Sequence, residues 1–186
     1  LEESIGLNKG HTKAQNLKTA VLRRLNNGMA KAQAEINVKE DLLDLFSKIE
    51  YSYFADNGED IEQFNAKAEN VLDVACDYIK AGLFEDALYA LNIYNGEYPL
   101  IEYYKAYCMA MAGENAAAFI AKAEALDTGY CFPSRLEDIA VLQYAINSEK
   151  NAANACYYLG ALYYDRFRYD EAAEIWNEGI KRNDKH

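Results

Sequence analysis

Apolar positions along this chain recur every three or four residues, which is the spacing that places side chains on one face of an α-helix. The stretch 41–54 shows the pattern clearly, since its apolar residues are Leu42, Leu43, Leu45, Phe46, Ile49, Tyr53 and Phe54. The alternation of apolar and polar residues that marks strands is hard to find, and the sequence contains two prolines. The pattern therefore predicts an all-α protein.

Turn signals divide these helical runs into pairs. Connections rich in glycine or asparagine lie at Asn26-Asn27-Gly28, Ala81-Gly82 and Gly113. We predict helical hairpins at about 11–40, 68–98, 99–127 and 152–183, with extra helices at about 41–54 and 134–147. Ser134 and Glu137 predict a capping box that begins the second extra helix. We interpret the whole chain, 1–186, as a single helical repeat domain.

The last predicted hairpin has the most specific arrangement of residue types. On its first helix, Leu159 and Tyr163 lie one turn apart and therefore face the same side. Gly160 between them has no side chain, which allows a partner helix to approach closely. The second helix repeats the arrangement, with the small Ala172 at the crossing point and the large Trp176 beside it. Because a lone hairpin of this kind cannot bury its apolar face, the arrangement implies neighbouring hairpins.

The spacing from Cys156 to Trp176 resembles that of a tetratricopeptide repeat (TPR), in which W-x-x-L-G-x-x-Y is followed by A-x-x-x-F. The chain departs from that pattern at Cys156, which replaces the opening Trp, and at Trp176, which replaces Phe. A second match begins near Ala68 and ends at Pro99. The resemblance implies a right-handed TPR-like α-solenoid of stacked helical hairpins.

A longer part of the chain is similar to one bacterial family. The letters YCFPSRLE at 130–137, YYLGALYYD at 157–165 and RYDEA at 168–172 resemble the C-terminal TPR region of large bacterial proteins that carry a DUF5107 domain. The similarity covers roughly 65–182 well and 1–64 loosely. It implies that a β-rich domain, similar to sugar-binding or sugar-epimerising β-sandwiches, precedes the helical tail. Any carbohydrate chemistry would belong to that absent domain, and no catalytic residue is carried over.

The net charge of −11 narrows the classes of partner. It repels nucleic-acid backbones and anionic lipid surfaces, and the basic clusters in the sequence are limited to Arg23-Arg24 and Lys181-Arg182. We therefore predict binding neither to nucleic acid nor to a membrane. No signal peptide or membrane span is visible. The sequence begins without Met, and its residues 1–7 resemble the end of a helix from a missing repeat, so we expect it to be excised from a longer chain.

Candidate catalytic and metal-binding residues are few. The histidines are His11 and His186, near opposite ends of the sequence, and no glycine-rich phosphate loop occurs. The cysteines form no C-x-x-C pair; they are Cys76, Cys108, Cys131 and Cys156. We predict buried free thiols, which favour a reducing compartment, here the cytoplasm. The sequence thus predicts a protein that is not an enzyme and binds no metal or cofactor.

Tyrosine is unusually frequent, with 16 residues. Several tyrosines occupy first-helix positions that a solenoid would expose on its concave face, where a ring with a hydroxyl tip suits partner binding. The predicted partner-binding residues are Tyr103, Tyr104, Tyr107, Asn154, Tyr157, Tyr158 and Tyr164. A polar continuation of the exposed face is predicted from Gln15, Asn16, Thr19, Asp73 and Lys80. The alternative is that most of these rings pack between neighbouring hairpins.

Three functions remain open at this point. The first is a non-catalytic interaction or scaffold module that binds a partner peptide, or the N-terminal domain of its own parent protein, through the Tyr-rich concave face. The second is a spacer or oligomerising tail of a bacterial carbohydrate-acting enzyme whose catalytic domain is absent. The third is a small-molecule pocket inside the superhelix. The carboxylate clamp of some TPR proteins is not predicted, because the first helices near 100–112 and 152–166 lack the lysine, asparagine and arginine set it needs.

Overall fold

The computed structural model describes residues 12–41, 43–54 and 66–183. Within these ranges the chain forms ten α-helices and no β-strand, which confirms the predicted all-α fold. The helices are α1 (Thr12–Arg24), α2 (Met29–Glu40), α3 (Leu45–Ser52), α4 (Ala68–Lys80), α5 (Phe84–Asn92), α6 (Pro99–Met111), α7 (Ala117–Ala125), α8 (Leu136–Ser148), α9 (Ala153–Asp165) and α10 (Tyr169–Asn183). His11, His186 and the helix end expected at 1–7 lie outside the described ranges.

The chain divides into two compact units, Leu1–Asn95 and Gly96–His186. In the first unit, α1 packs against α2 and α3, and α4 packs against α5. In the second unit, α6 packs against α7 and α8, while α9 packs against α8 and, more extensively, against α10. Helices that are neighbours in sequence therefore pair as α1–α2, α4–α5, α6–α7 and α9–α10, at the positions of the predicted hairpins. The interpretation of the chain as one repeat domain stays a prediction.

Polar side chains form part of the interior of the first unit. Asn37 Nδ2 donates to Asn16 Oδ1 at 2.9 Å and to Thr19 Oγ1 at 3.1 Å, and Asn16 Nδ2 donates to Ser47 Oγ at 3.0 Å. All four residues are buried, so the expectation that Asn16 and Thr19 are exposed is wrong. Because a buried polar group without a partner is costly, these bonds favour the pairing of α1 with α2 and α3 over other arrangements.

A charged cluster joins α1, α3, α4 and α5 in the same unit. The Arg23 guanidinium donates to both carboxylate oxygens of the buried Glu50, at 3.0 and 3.3 Å, and to Asp86 Oδ1 at 2.9 Å. Tyr78 donates its hydroxyl proton to Glu50 as well. Arg23 also lies over the ring of Tyr53, with its Cζ 3.5 Å from the centroid. Each buried charge in this cluster faces an opposite charge, which is what a protein interior requires of ionised groups.

Tyrosines fill the interior of the second unit. Tyr103 and Tyr104 on α6 and Tyr158 on α9 are buried. The Tyr103 hydroxyl donates to Glu124 Oε1 on α7 at 2.5 Å, and the Tyr104 hydroxyl donates to Asp138 Oδ1 on α8 at 2.6 Å. The rings supply apolar area while each of these two hydroxyls has an acceptor, so α7 and α8 are both fixed against α6.

The cap of α8 differs from the predicted capping box by one residue. The N-cap is Arg135, and Asp138 Oδ2 accepts hydrogen bonds from the backbone N–H groups of Ser134 at 2.8 Å and Arg135 at 2.9 Å. The prediction that Ser134 and Glu137 form the box is therefore wrong. Asp138 takes this role because it is the buried acid of the first turn, where it also accepts the hydrogen bond of Tyr104.

Small residues allow α9 and α10 to approach closely. A Cβ added at Gly160 would overlap the indole of Trp176, lying 2.8 Å from its Cε2 and closer still to Nε1 and Cδ1. On α10, a Cβ added at Gly179 would lie 2.8 Å from the Cβ of Cys156. The predicted role of Gly160 is confirmed, and the pair Gly179–Cys156 provides a second close contact at the same helix crossing.

Candidate partner-binding site

The seven residues predicted to bind a partner do not form one surface. By exposure they divide into buried Tyr103, Tyr104 and Tyr158, half-buried Tyr107 and Asn154, and exposed Tyr157 and Tyr164. The expectation that the first three are exposed is wrong, and the alternative of packing between helices describes them. Tyr104 is covered by α8, which packs against α6 and accepts its hydrogen bond through Asp138. Tyr103 donates to Glu124 on α7, and its ring lies 6.2 Å from that of Tyr158 on α9.

The two exposed tyrosines belong to a larger surface on α9, α10 and the link between them. Tyr157 and Tyr164 are seven residues apart on α9, and Trp176 and Ile180 are four apart on α10, so each pair lies along one side of its helix. We call the surface the hairpin face, and its residues are Tyr157, Tyr164, Phe167, Tyr169, Trp176 and Ile180. Trp176 is half-buried, and the exposed fractions of the other five range from 49% for Tyr157 to 79% for Phe167.

Ring contacts order one end of the hairpin face. The ring centroid of Tyr164 is 5.2 Å from that of Tyr169 and 5.9 Å from that of Trp176, and Phe167 is 6.2 Å from Tyr169. These separations lie in the range of favourable aromatic pairs. The indole is fixed further because Trp176 Nε1–H donates to the backbone carbonyl of Tyr157 at 3.1 Å. The rings are therefore held in position without a partner.

A groove of about 450 Å³ lies at the other end of the hairpin face. It is lined by Thr128, Ala153, Asn154, Tyr157, Trp176, Gly179, Ile180 and Asn183. The walls are mostly apolar, and the buried Gly179 belongs to the close contact between α9 and α10 beside the groove. Thr128, Asn154 and Asn183 add hydrogen-bonding groups. An apolar groove with a few polar groups is the usual composition of a binding site.

Helix α7 holds Asn154 in place at this groove. The Glu124 carboxylate accepts hydrogen bonds from the backbone N–H groups of Asn154 at 2.8 Å and Ala155 at 3.0 Å, and Asn154 Nδ2 donates to the Glu124 carbonyl at 2.9 Å. A carboxylate suits this position because the first turn of a helix has unpaired N–H groups and a positive dipole end. Glu124 thus connects the buried Tyr103 with the start of α9 beside the groove.

A second cavity, of about 270 Å³, lies in the first unit. Asp73 and Asp77 on α4 line it together with Phe46 and Val74. Lys13 Nζ lies 2.9 Å from Asp77 Oδ2, so this carboxylate already has a cation within the protein. The groove on the hairpin face, which is larger and combines exposed aromatic rings with polar groups, is the stronger candidate site.

The Cys156 thiol and the Tyr103 and Tyr158 phenols are protonated at neutral pH. All four cysteines are buried free thiols, as predicted, and burial raises the pKa of Cys156 to about 11. Burial also raises the pKa values of Tyr103 and Tyr158 above the ordinary value for tyrosine. Since the thiolate rather than the thiol is the nucleophile, Cys156 acts here as a packing residue. The arrangement is suited to binding through apolar contact and hydrogen bonds.

No protein-family model matches this chain, and no curated protein matches it. Across residues 12–41, 43–54 and 66–183, no group of three His, Cys, Asp or Glu side chains is arranged to hold a metal ion. In the described part of the chain, no helix has both the length and the hydropathy needed to cross a bilayer.

Four members of the hairpin face were missed by the sequence prediction of the site. Trp176 was expected to pack against the first helix, which it does through Gly160, but it also forms a wall of the groove. The predicted site does not include Phe167, Tyr169 or Ile180. Tyr169 and Trp176 are seven residues apart, and Trp176 and Ile180 are four apart. This helical spacing is the sequence signal that places the three side chains on one side of α10.

Proposed function

We propose that this chain is a non-catalytic protein-interaction module built of TPR-like helical hairpins, and that the hairpin face binds its partner. The observation that carries the proposal is the collection of six large apolar side chains on α9, α10 and the link between them, five of which are about half exposed or more. Tyrosine and tryptophan are the side chains most enriched at the energetically important centres of protein interfaces.

The size of the surface supports an interface. A large aromatic or aliphatic side chain buries about 200 Å² when fully covered. The five exposed members of the hairpin face retain from half to four fifths of such an area, which gives roughly 600 Å² in total. Apolar patches beyond a few hundred Å² are uncommon on monomers unless they bind something. One side of a standard protein interface buries about 800 Å², so the hairpin face with its polar neighbours has a suitable extent.

The TPR-like arrangement is supported by the contact between α9 and α10. Gly160 and Trp176 interlock as the repeat spacing predicts, and helices adjacent in sequence pair in both units. We propose that the hairpins stack as a right-handed solenoid. Small-angle X-ray scattering tests this proposal, because a compact globule of this length has a radius of gyration of about 16 Å. A clearly larger value supports the solenoid, and a value of about 16 Å contradicts it.

A peptide-display selection on the full chain tests the binding proposal. Selected peptides are compared for affinity to the wild type, Ile180→Glu and Leu136→Glu. Leu136 is the matched control, because it is also an exposed aliphatic residue on a helix of the second unit. We expect Ile180→Glu to weaken binding by about tenfold or more, which corresponds to about 1.4 kcal/mol, while Leu136→Glu binds like the wild type. Peptides that bind all three proteins equally would show that the hairpin face is not the binding surface.

A further inference from the structure

We infer that the segment that binds the hairpin face is a basic amphipathic α-helix from another polypeptide. The inference rests on the proposed function and specifies the partner's conformation and charge. It depends on three observations: the spacing of the rings on the hairpin face, the way helices cover the rest of α9, and the negative charge of the chain.

The rings of the hairpin face repeat at a spacing that fits a helix. Tyr157 and Tyr164 on α9 are seven residues apart, as are Tyr169 and Trp176 on α10, and seven residues of helix span about 10 Å. A partner helix presents apolar anchors at i, i+4 and i+7 over the same length. An extended peptide places side chains on one side about every 7 Å, which does not match this spacing. A third helix aligned with α9 and α10 therefore fits the face best.

Helices cover the other sides of α9. Helices α10, α8 and α7 all pack against it, and the side that carries Tyr157 and Tyr164 is left exposed. The described residues contain no β-strand, so they offer no sheet edge to which a peptide strand could add. An additional helix would extend the packing that this unit already uses. Asn154 and Asn183 at the groove can hydrogen-bond the unpaired backbone groups at the end of such a helix.

The charge of the chain argues for a basic partner. Residues 96–186 contain fourteen Asp or Glu and nine Lys or Arg residues, and the whole chain has a net charge of −11. On α10, Glu171 and Glu178 are paired with Arg168 and Arg182, while Asp170 and Glu174 are exposed. A second copy of this chain would bring another charge of −11 to the interface and be repelled, whereas a basic helix would be attracted. We therefore place a different, positively charged polypeptide on the hairpin face.

The test uses synthetic peptides of about 18 residues, which span about 27 Å as a helix. The first peptide has leucines at i, i+4, i+7 and i+11 with lysines on the opposite side. The second replaces the lysines by glutamates, the third scrambles the order of the first, and the fourth is a lysine-flanked proline-rich peptide. Emission from Trp176, the single tryptophan of the chain, reports binding at the hairpin face.

We expect the first peptide to shift the Trp176 emission and to bind about tenfold or more tightly than each of the other three, with affinity that falls as salt is added. Ile180→Glu should abolish the preference, and Leu136→Glu should retain it. Equal binding of the first and scrambled peptides, or tightest binding of the proline-rich peptide, would overturn the inference. If display selection still yields peptides that depend on Ile180, the proposed function stands while the helical, basic partner is rejected. If display selection yields no peptide whose binding depends on Ile180, both the proposed function and the basic helical partner are rejected.

Discussion

Replacing Gly160 by alanine tests whether the interlocking of α9 and α10 is as close as the structure shows. A methyl group at this position would overlap the Trp176 indole, with the new Cβ 2.8 Å from Cε2 and nearer to two other ring atoms. The ring would have to move, and the hydrogen bond from Trp176 Nε1 to the Tyr157 carbonyl at 3.1 Å would be lost or distorted.

The expected magnitude combines three terms. Overpacking of a well-filled contact costs about 1–3 kcal/mol, and loss of the indole hydrogen bond costs about 1 kcal/mol. Replacing glycine by alanine within a helix stabilises the helix by about 1 kcal/mol. The net prediction for Gly160→Ala is a decrease of about 2 kcal/mol in the free energy of unfolding. Without the overlap, the same substitution would increase stability. The sign of the change therefore shows whether a methyl group at position 160 overlaps the Trp176 indole.

Urea denaturation followed by far-UV circular dichroism measures this change, since helix content reports the folded state without using tryptophan. The control is the same substitution in a Trp176→Ala background. There the indole is absent, and Gly160→Ala should increase the free energy of unfolding by about 1 kcal/mol relative to Trp176→Ala alone. An increase in stability in both backgrounds would refute the close contact of α9 with α10.

Three further predictions concern the second unit. Tyr158→Ala should decrease the free energy of unfolding by about 3–5 kcal/mol and Tyr157→Ala by less than about 1 kcal/mol in denaturant titrations, because only Tyr158 is fully buried. Glu124→Ala should cost about 2 kcal/mol, since two backbone N–H groups and a buried hydroxyl lose their acceptor; a change below about 0.5 kcal/mol would contradict that role. Burial raises the pKa of Cys156 to about 11, so the contribution of this thiol to stability is complete below pH 9 and declines as pH rises toward 11. A difference in the free energy of unfolding between wild type and Cys156→Ala that stays constant from pH 9 to 11 would contradict this prediction.

The helices and their pairing were predictable because local signals specify them. The turns at Asn26-Asn27-Gly28, Ala81-Gly82 and Gly113 all fall between helices that pack against each other. The close contact at Gly160 and Trp176 follows from the sizes of two residues at a known spacing. Such features depend on a few neighbouring residues, and a single sequence contains the necessary information.

The burial of individual tyrosines depends on contacts between distant segments. Tyr103 and Tyr104 are neighbours on α6, and helical spacing alone does not indicate that α7 and α8 supply acceptors for both hydroxyls. The same holds for Asn16, a residue type usually found at the surface. It is buried because Asn37 and Ser47, from two other helices, complete its hydrogen bonds. The sequence pattern predicts an exposed face for Tyr103, Tyr104 and Asn16, and these long-range contacts bury them instead.

An amide NMR shift map of the full chain, recorded with and without the lysine-rich helical peptide, tests the central claim most directly. The account predicts that the largest shifts lie in α9 and α10 around Tyr157, Tyr164, Trp176 and Ile180, and that they vanish in Ile180→Glu. Large shifts confined to residues of the first unit, or no localised shifts at saturating peptide, would contradict it.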